Sequence, residues 1–219
     1  MKVLAVAVWI ALAGGADAQP AAPTASTVLA NVQQYYANTS QLTAGFRQVV
    51  TNATFGTSRA SEGKLWVAKP SSLRFDYLQK TQRGDSVSKS FVFNGTTLWL
   101  VDHVNKQIYK QAAQGGALPA AVSFLTNANA LGAQFNVSLS ASGSRHATVL
   151  ELAPKQPSAQ YKQIFLVVDA NGSVTESIVV DANGDTSDFT FLQPNTRAPV
   201  PKSTFVVNPA ALPTYKLIP

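Results

Sequence analysis

The chain has 219 residues, 46% of them hydrophobic and only 13% charged, with 17 basic side chains against 11 acidic and no cysteine. Without cysteine there is no disulfide scaffold, thiol catalysis, thiolate zinc site or N-terminal lipidated Cys, and with two histidines, His103 and His146, there is no His-rich metal site. The charge content is low beside the roughly 25% of an average soluble domain, and the basic residues are too dispersed for a nucleic-acid-binding patch.

Residues 1–18 read as a signal peptide. Lys2 precedes the apolar run Val3–Ala13, and Ala16-Asp17-Ala18 supplies a small-residue cleavage site. The run is too short to span a bilayer, and no later stretch approaches ~20 continuous apolar residues. The expectation is therefore an exported, soluble periplasmic protein beginning at Gln19. Residues 19–25 form a flexible Pro/Ala/Thr-rich leader, and 26–219 a single domain ending in the Pro-rich stretch 194–219.

Val28, Leu29, Val32, Tyr35 and Tyr36 recur at spacings of three and four, which predicts an amphipathic helix over 26–37. The period then drops to two. Leu42, Ala44, Phe46 and Val50 mark a half-buried strand over 42–50. Further strands are predicted at 60–68, 73–79, 88–93, 97–101 and 107–111. A second set follows at 135–139, 147–153, 163–168, 174–180, 187–192 and 204–207. Residues 119–133 interrupt the run with one or two short helices. Asn94-Gly95, Asn171-Gly172 and Asn183-Gly184 punctuate the strands as hairpin turns, expected as type I′.

About eleven antiparallel strands cannot stay flat, because sheet twist makes them curl, close or split. Two helical segments are too few to cover both faces. The economical architecture is mainly β: a curled antiparallel sheet forming an unclosed half-barrel, with a helical lid over an apolar cavity. A filled sandwich with a structural role is the alternative that periodicity leaves open.

Catalytic signatures are missing. No phosphate-binding loop, dinucleotide fingerprint, His-Glu-x-x-His or Gly-x-Ser-x-Gly elbow occurs. Gly84-Asp85-Ser86 resembles the start of an esterase block with Ser86 as nucleophile, but it lies between strands and lacks the downstream Asp-x-x-His. His103 beside Asp102 reads as a surface turn. Asp76 and Glu151 lie in strands without an acidic partner for two-carboxylate hydrolysis. The residues describe no enzyme, no catalytic group, no cofactor and no metal.

The richest stretch is Gly63-Lys64-Leu65-Trp66-Val67-Ala68-Lys69-Pro70-Ser71-Ser72-Leu73-Arg74-Phe75-Asp76-Tyr77, two strands meeting at a Lys-Pro-Ser-Ser turn. Leu73, Phe75 and Tyr77 share one face. Together with Leu42–Gln48 and the block Phe91-Val92-Phe93-Asn94-Gly95-Thr96-Thr97-Leu98-Trp99-Leu100, this stretch resembles the periplasmic outer-membrane lipoprotein carrier family, LolA. The segments 167–174 and 205–209 match more weakly.

The resemblance implies an incomplete β-barrel that takes acylated lipoproteins from an inner-membrane ABC transporter and hands them to an outer-membrane receptor, as a monomer. It implies a lipid-binding cavity lined by Phe46, Leu65, Val67, Leu73, Phe75, Tyr77, Phe91, Phe93 and Trp99. The lid would comprise Val28, Leu29, Val32, Val122, Phe124 and Leu125. The family's latch before the turn proline is Arg, whereas this chain has Lys69, a point charge without the planar fork. A paralogous lipid or glycolipid carrier, or a periplasmic lipid sensor, shares the same features.

Overall fold

The structure is a computed structural model that describes residues 23–112, 120–140, 148–158 and 160–218. The signal peptide expected at 1–18, the leader up to residue 22 and His146 lie outside the described residues.

Helix α1 (Ala25–Asn38) begins at Thr24, whose side chain accepts the Thr27 N–H, and it buries Val28, Val32 and Tyr36 at helical spacing. The first meander follows: β1 (Gln41–Asn52), β2 (Thr57–Ala68), β3 (Ser72–Thr81), β4 (Gly84–Asn94), β5 (Thr97–Asp102) and β6 (Gln107–Ala112). Helix α2 (Ala120–Asn127), a 3-10 turn at Ala128–Ala130 and the one-turn α3 (Leu131–Gln134) lead into the second meander. Its strands are β7 (Phe135–Leu139), β8 (Thr148–Pro154), β9 (Gln163–Val168), β10 (Val174–Val180) and β11 (Thr186–Asn195).

All strands belong to one twelve-stranded sheet, ordered β12-β6-β5-β4-β3-β2-β1-β11-β10-β9-β8-β7, where β12 is Lys216–Ile218. Within each meander consecutive strands pair as antiparallel neighbours, and β1 bridges the two meanders by pairing with both β2 and β11. The edge strands β7 and β12 do not pair with each other among the described residues. The result is an open half-barrel with the helices on its inner face.

Three local expectations are corrected. The segment 204–207 is not a strand: Lys202–Phe205 form a 3-10 turn that crosses the outer face of the sheet and buries Phe205. Pro201 opens that turn, its carbonyl accepting the Thr204 N–H. The strand at the C-terminal end is instead β12, and it joins β6 in parallel, not antiparallel. The Asn-Gly turns are not type I′, because only their glycines have positive φ. In the twin Asp169-Ala170-Asn171-Gly172 and Asp181-Ala182-Asn183-Gly184 segments, the Asp carboxylate accepts two backbone N–H groups while glycine takes the left-handed position.

The main core lies between the inner face and the helices. Phe46, Leu65, Val67, Phe75, Leu150, Leu152, Leu166 and Phe189 are buried there beneath Val32, Tyr36, Val122, Phe124 and Leu125. On the other face of the sheet Val92, Val101, Ile108, Asp76 and Ser90 are buried, as is Phe205 of the 3-10 turn.

Candidate functional site: an aromatic inner face under a helical lid

Strand register decides which side chains meet on the inner face. Phe46 lies opposite Gly63 on β2 and Phe191 on β11, and Gly63 lies opposite Tyr77 on β3. Directly opposed residues share a face. Gly63 lets the Phe46 ring lie over the β2 backbone, since a Cβ there would stand 2.5 Å from that ring. Phe46 is thus the hub of an edge-packed aromatic cluster, with ring centroids 5.3 Å from Phe75, 5.0 Å from Tyr77 and 5.8 Å from Phe189. Tyr77 extends it to Phe91 at 5.8 Å, and Phe189 to Phe191 at 6.4 Å. Such pairs contribute about 0.5–1.5 kcal/mol each beyond the burial of their area.

Leu65, Val67, Leu73 and Phe75 are buried on this face, whereas Tyr77, Phe91 and Phe93 are half-buried against it. Burial pushes the Tyr77 phenol up to about 12. Trp99, expected to line the cavity, points the other way. It pairs with Val92, while Leu98 and Leu100 pair with Phe93 and Phe91 and so take the inner positions. The Trp99 indole instead lies on the outer face with the Lys110 ammonium 5.2 Å from its ring centre.

Helices α1 and α2 pack over the inner face. Val122, Phe124 and Leu125 are buried, with Phe124 wedged between Tyr36 at 5.3 Å and Phe191 at 6.1 Å. Val28 and Val32 of α1 are buried, and Leu29 is half-buried. The seat of α1 is set by the β9–β10 turn, where Gly172 (φ +85°) comes so close that a Cβ would stand 2.4 Å from the Asn31 carbonyl oxygen.

Two polar ties hold α2 and the turn after it. Lys69, preceding the cis proline Pro70, donates from Nζ to the Thr126 carbonyl at 3.1 Å. Gln33 Nε2 donates to the carbonyls of Ala128 and Asn129 at 3.5 and 3.4 Å. Partial burial holds the Lys69 ammonium below its ordinary value.

Sequence reasoning missed the inner-face contributions of Gln48, Phe189 and Phe191. Alternation of Phe189 and Phe191 with Asp188 and Thr190 was a usable signal. What periodicity lacks is the pairing of β1 with β11, which brings those rings against Phe46.

Ser86, Asp76 and Glu151 do not gather into one site. Ser86 is paired with Gln79 in the β3–β4 hairpin, and its Oγ accepts from Gln79 Nε2 at 3.3 Å. Asp76 takes the Arg74 guanidinium at 2.8 Å and the Ser90 hydroxyl at 2.7 Å. Glu151 accepts from Gln163. Among the described residues no group of three or more His, Asp or Glu side chains gathers to hold a metal, and no helix is long and apolar enough to cross a membrane.

An open half-barrel with an aromatic inner face and a helical lid defines the architectural class. The chain belongs to the outer membrane lipoprotein carrier protein LolA family, whose pattern it matches over residues 37–208. It is 30% identical to an outer-membrane lipoprotein carrier protein of Serratia proteamaculans, over 94% of each chain, and 26% identical to one of Chromobacterium violaceum, over 86% of this chain and 87% of that one. Among solved structures, an uncharacterized conserved protein from Thermus thermophilus shares the fold with a TM-score of 0.54 at 10% identity, covering 89% of this chain and 98% of that one.

Proposed function

We propose that this protein carries acylated lipoproteins across the periplasm, with residues 1–18 as its cleaved export signal. It receives them from an inner-membrane ABC transporter and delivers them to an outer-membrane receptor, acting as a monomer without catalysis. The observation that carries this reading is the pairing of a continuous aromatic inner face with a helix, α2, held partly through single side-chain hydrogen bonds. Family membership supports it, since the curated relatives are named as outer-membrane lipoprotein carriers.

The energetics require such a device. Each exposed CH₂ costs ~0.8 kcal/mol, so three long acyl chains cost on the order of 30–40 kcal/mol in water. Acyl chains entering beneath α2 meet Phe46, Leu65, Val67, Leu73, Phe75, Tyr77, Phe91 and Phe93 in place of Val122, Phe124 and Leu125. Lys69 serves as the latch in this scheme. When empty, the lid covers the apolar face and limits aggregation.

Native mass spectrometry tests the reading after incubation with lipoprotein-loaded membranes and the transporter. A lipoprotein adduct is expected. Protein that stays free of acylated cargo would falsify the carrier role.

A further inference from the structure

A polar row crosses the inner face. Tyr77 Oη donates to Gln48 Oε1 at 2.9 Å, and Gln48 Nε2 donates to Ser187 Oγ at 2.9 Å. This relay spans β3, β1 and β11, beside the ring of Phe46. Farther round the face, Ser177 is fully buried, and its Oγ has no hydrogen-bond partner. Ser177 lies directly opposite Phe189 on one side and Leu166 on the other, both inner-face residues. Ser187 is two residues from Phe189, so Ser177 and Ser187 are diagonal neighbours, about 7–8 Å apart.

A buried hydroxyl without a partner forgoes about 1–3 kcal/mol, and such groups in folded proteins call for an explanation. The relay's direction supplies one. The Tyr77 phenol, held protonated by burial, spends its hydrogen on Gln48. That orients the carboxamide so that Nε2 has one N–H bonded to Ser187 and a second unspent. The Ser187 and Ser177 hydroxyl hydrogens are also free of acceptors among the described residues. All three unspent groups are donors on a greasy surface. They fit a ligand that is apolar along its length but carries hydrogen-bond acceptors without donors.

We propose that Gln48, Ser187 and Ser177 form a recognition row for the ester carbonyls of a diacylglyceryl group, placing the head of the cargo against β1, β10 and β11 while its chains run over the aromatic cluster. This inference rests on the carrier reading and names the chemical feature that the site reads. A glyceryl unit bears its two acyl esters on adjacent carbons, which suits two donor stations on neighbouring strands. The same esters occur in a lipoprotein's diacylglyceryl-cysteine and in free phospholipid.

The test measures affinities of the full-length mature chain for two matched pairs of probes. One pair is a synthetic dipalmitoylglyceryl-cysteine peptide and its dialkyl-ether counterpart; the other is a phosphatidylglycerol diester and the corresponding diether. The diester is expected to bind about tenfold more tightly, as one or two hydrogen bonds provide. Preference within the lipopeptide pair alone assigns the lipoprotein as the source. Preference within both pairs assigns the esters common to the two lipids. Gln48→Leu should shrink the ratio of diester to diether affinity; Ser187→Ala and Ser177→Ala should each shrink it less and serve should Gln48→Leu fail to fold. Equal binding of diester and diether by the wild type, or full ester preference in all three variants, overturns the row. Failure of all four probes to bind overturns the carrier reading itself.

Discussion

At the scale of single residues, the inner face depends on one missing methyl group. A Cβ at Gly63 would stand 2.2 Å from the Asp76 carbonyl oxygen and 2.5 Å from the Phe46 ring, so neither the β3 backbone nor the central aromatic could keep its place. Gly63→Ala is expected to cost about 1–3 kcal/mol by overpacking, read as a lower urea midpoint. Phe46→Ala should cost more, about 3–5 kcal/mol, because it empties a site that three other rings surround. Lys69 belongs to another category, since its bond to Thr126 ties the lid and not the sheet. Lys69→Met should speed amide hydrogen exchange in α2 about fivefold, as loss of about 1 kcal/mol predicts, while leaving β1–β3 unchanged. Equal acceleration in helix and sheet would show that Lys69 supports global stability and no latch. The pH dependence has a definite sign. Burial lowers the Lys69 value, so the closed form disfavours the ammonium; its desolvation penalty is present below the folded value and relieved as pH rises toward 10.5.

At the scale of elements, the C-terminal segment is strapped over the outer face by a polar chain. Arg74 donates to the Thr204 carbonyl at 3.1 Å and pairs with Asp76, which accepts from Ser90. His103 joins Ser90 at 3.2 Å through Nε2 and Tyr215 at 3.1 Å through Nδ1. With Ser90 donating to Asp76, a neutral His103 donates from Nε2 to Ser90 and accepts the Tyr215 hydroxyl on Nδ1. Burial is the largest influence on His103 and lowers its value, with Arg74 acting the same way and Asp76 and Asp102 opposing. The strap's stability is therefore fully present above the ordinary imidazole value and is lost as pH falls through it toward the folded one. Exchange protection across 202–218, taken relative to the intrinsic amide rate at each pH, should fall between pH 7.5 and 5, and His103→Gln should abolish that dependence. An unchanged profile in His103→Gln would place the sensitivity elsewhere. These elements also mark what a sequence can disclose. Every hairpin from β1 to β6 and from β7 to β11 was legible, because alternation and turn residues act over a few neighbours. Strand β12 was not, since three residues carry no period. Trp99 was misplaced because the register across Asn94-Gly95, not the aromatic pattern, selects its face.

At the scale of the molecule, two meanders are joined through a single ladder, β1 on β11. That long-range pairing creates the inner face from residues more than a hundred positions apart, Phe46 against Phe189 and Phe191, which is why the cluster's second half escaped local reading. In the proposed scheme it also separates what cargo displaces from what cargo leaves intact. The sheet is held by backbone ladders along its whole width, whereas α2 rests on side-chain packing against Tyr36 and Phe191 and on Lys69. A cargo that binds only the folded chain stabilises it by mass action, about 2.7 kcal/mol at a hundredfold excess over Kd. For a domain of this size, about 2–4 °C per kcal/mol gives a rise in Tm of about 5–10 °C. If acyl chains occupy the face that α2 covers, the same loading must weaken the helix locally. Loaded protein is expected to show a higher Tm, slower exchange in β1, β3 and β11, and faster exchange in α2. A rise in Tm with α2 equally protected would mean that cargo binds elsewhere on the surface and that the lid does not move to admit it.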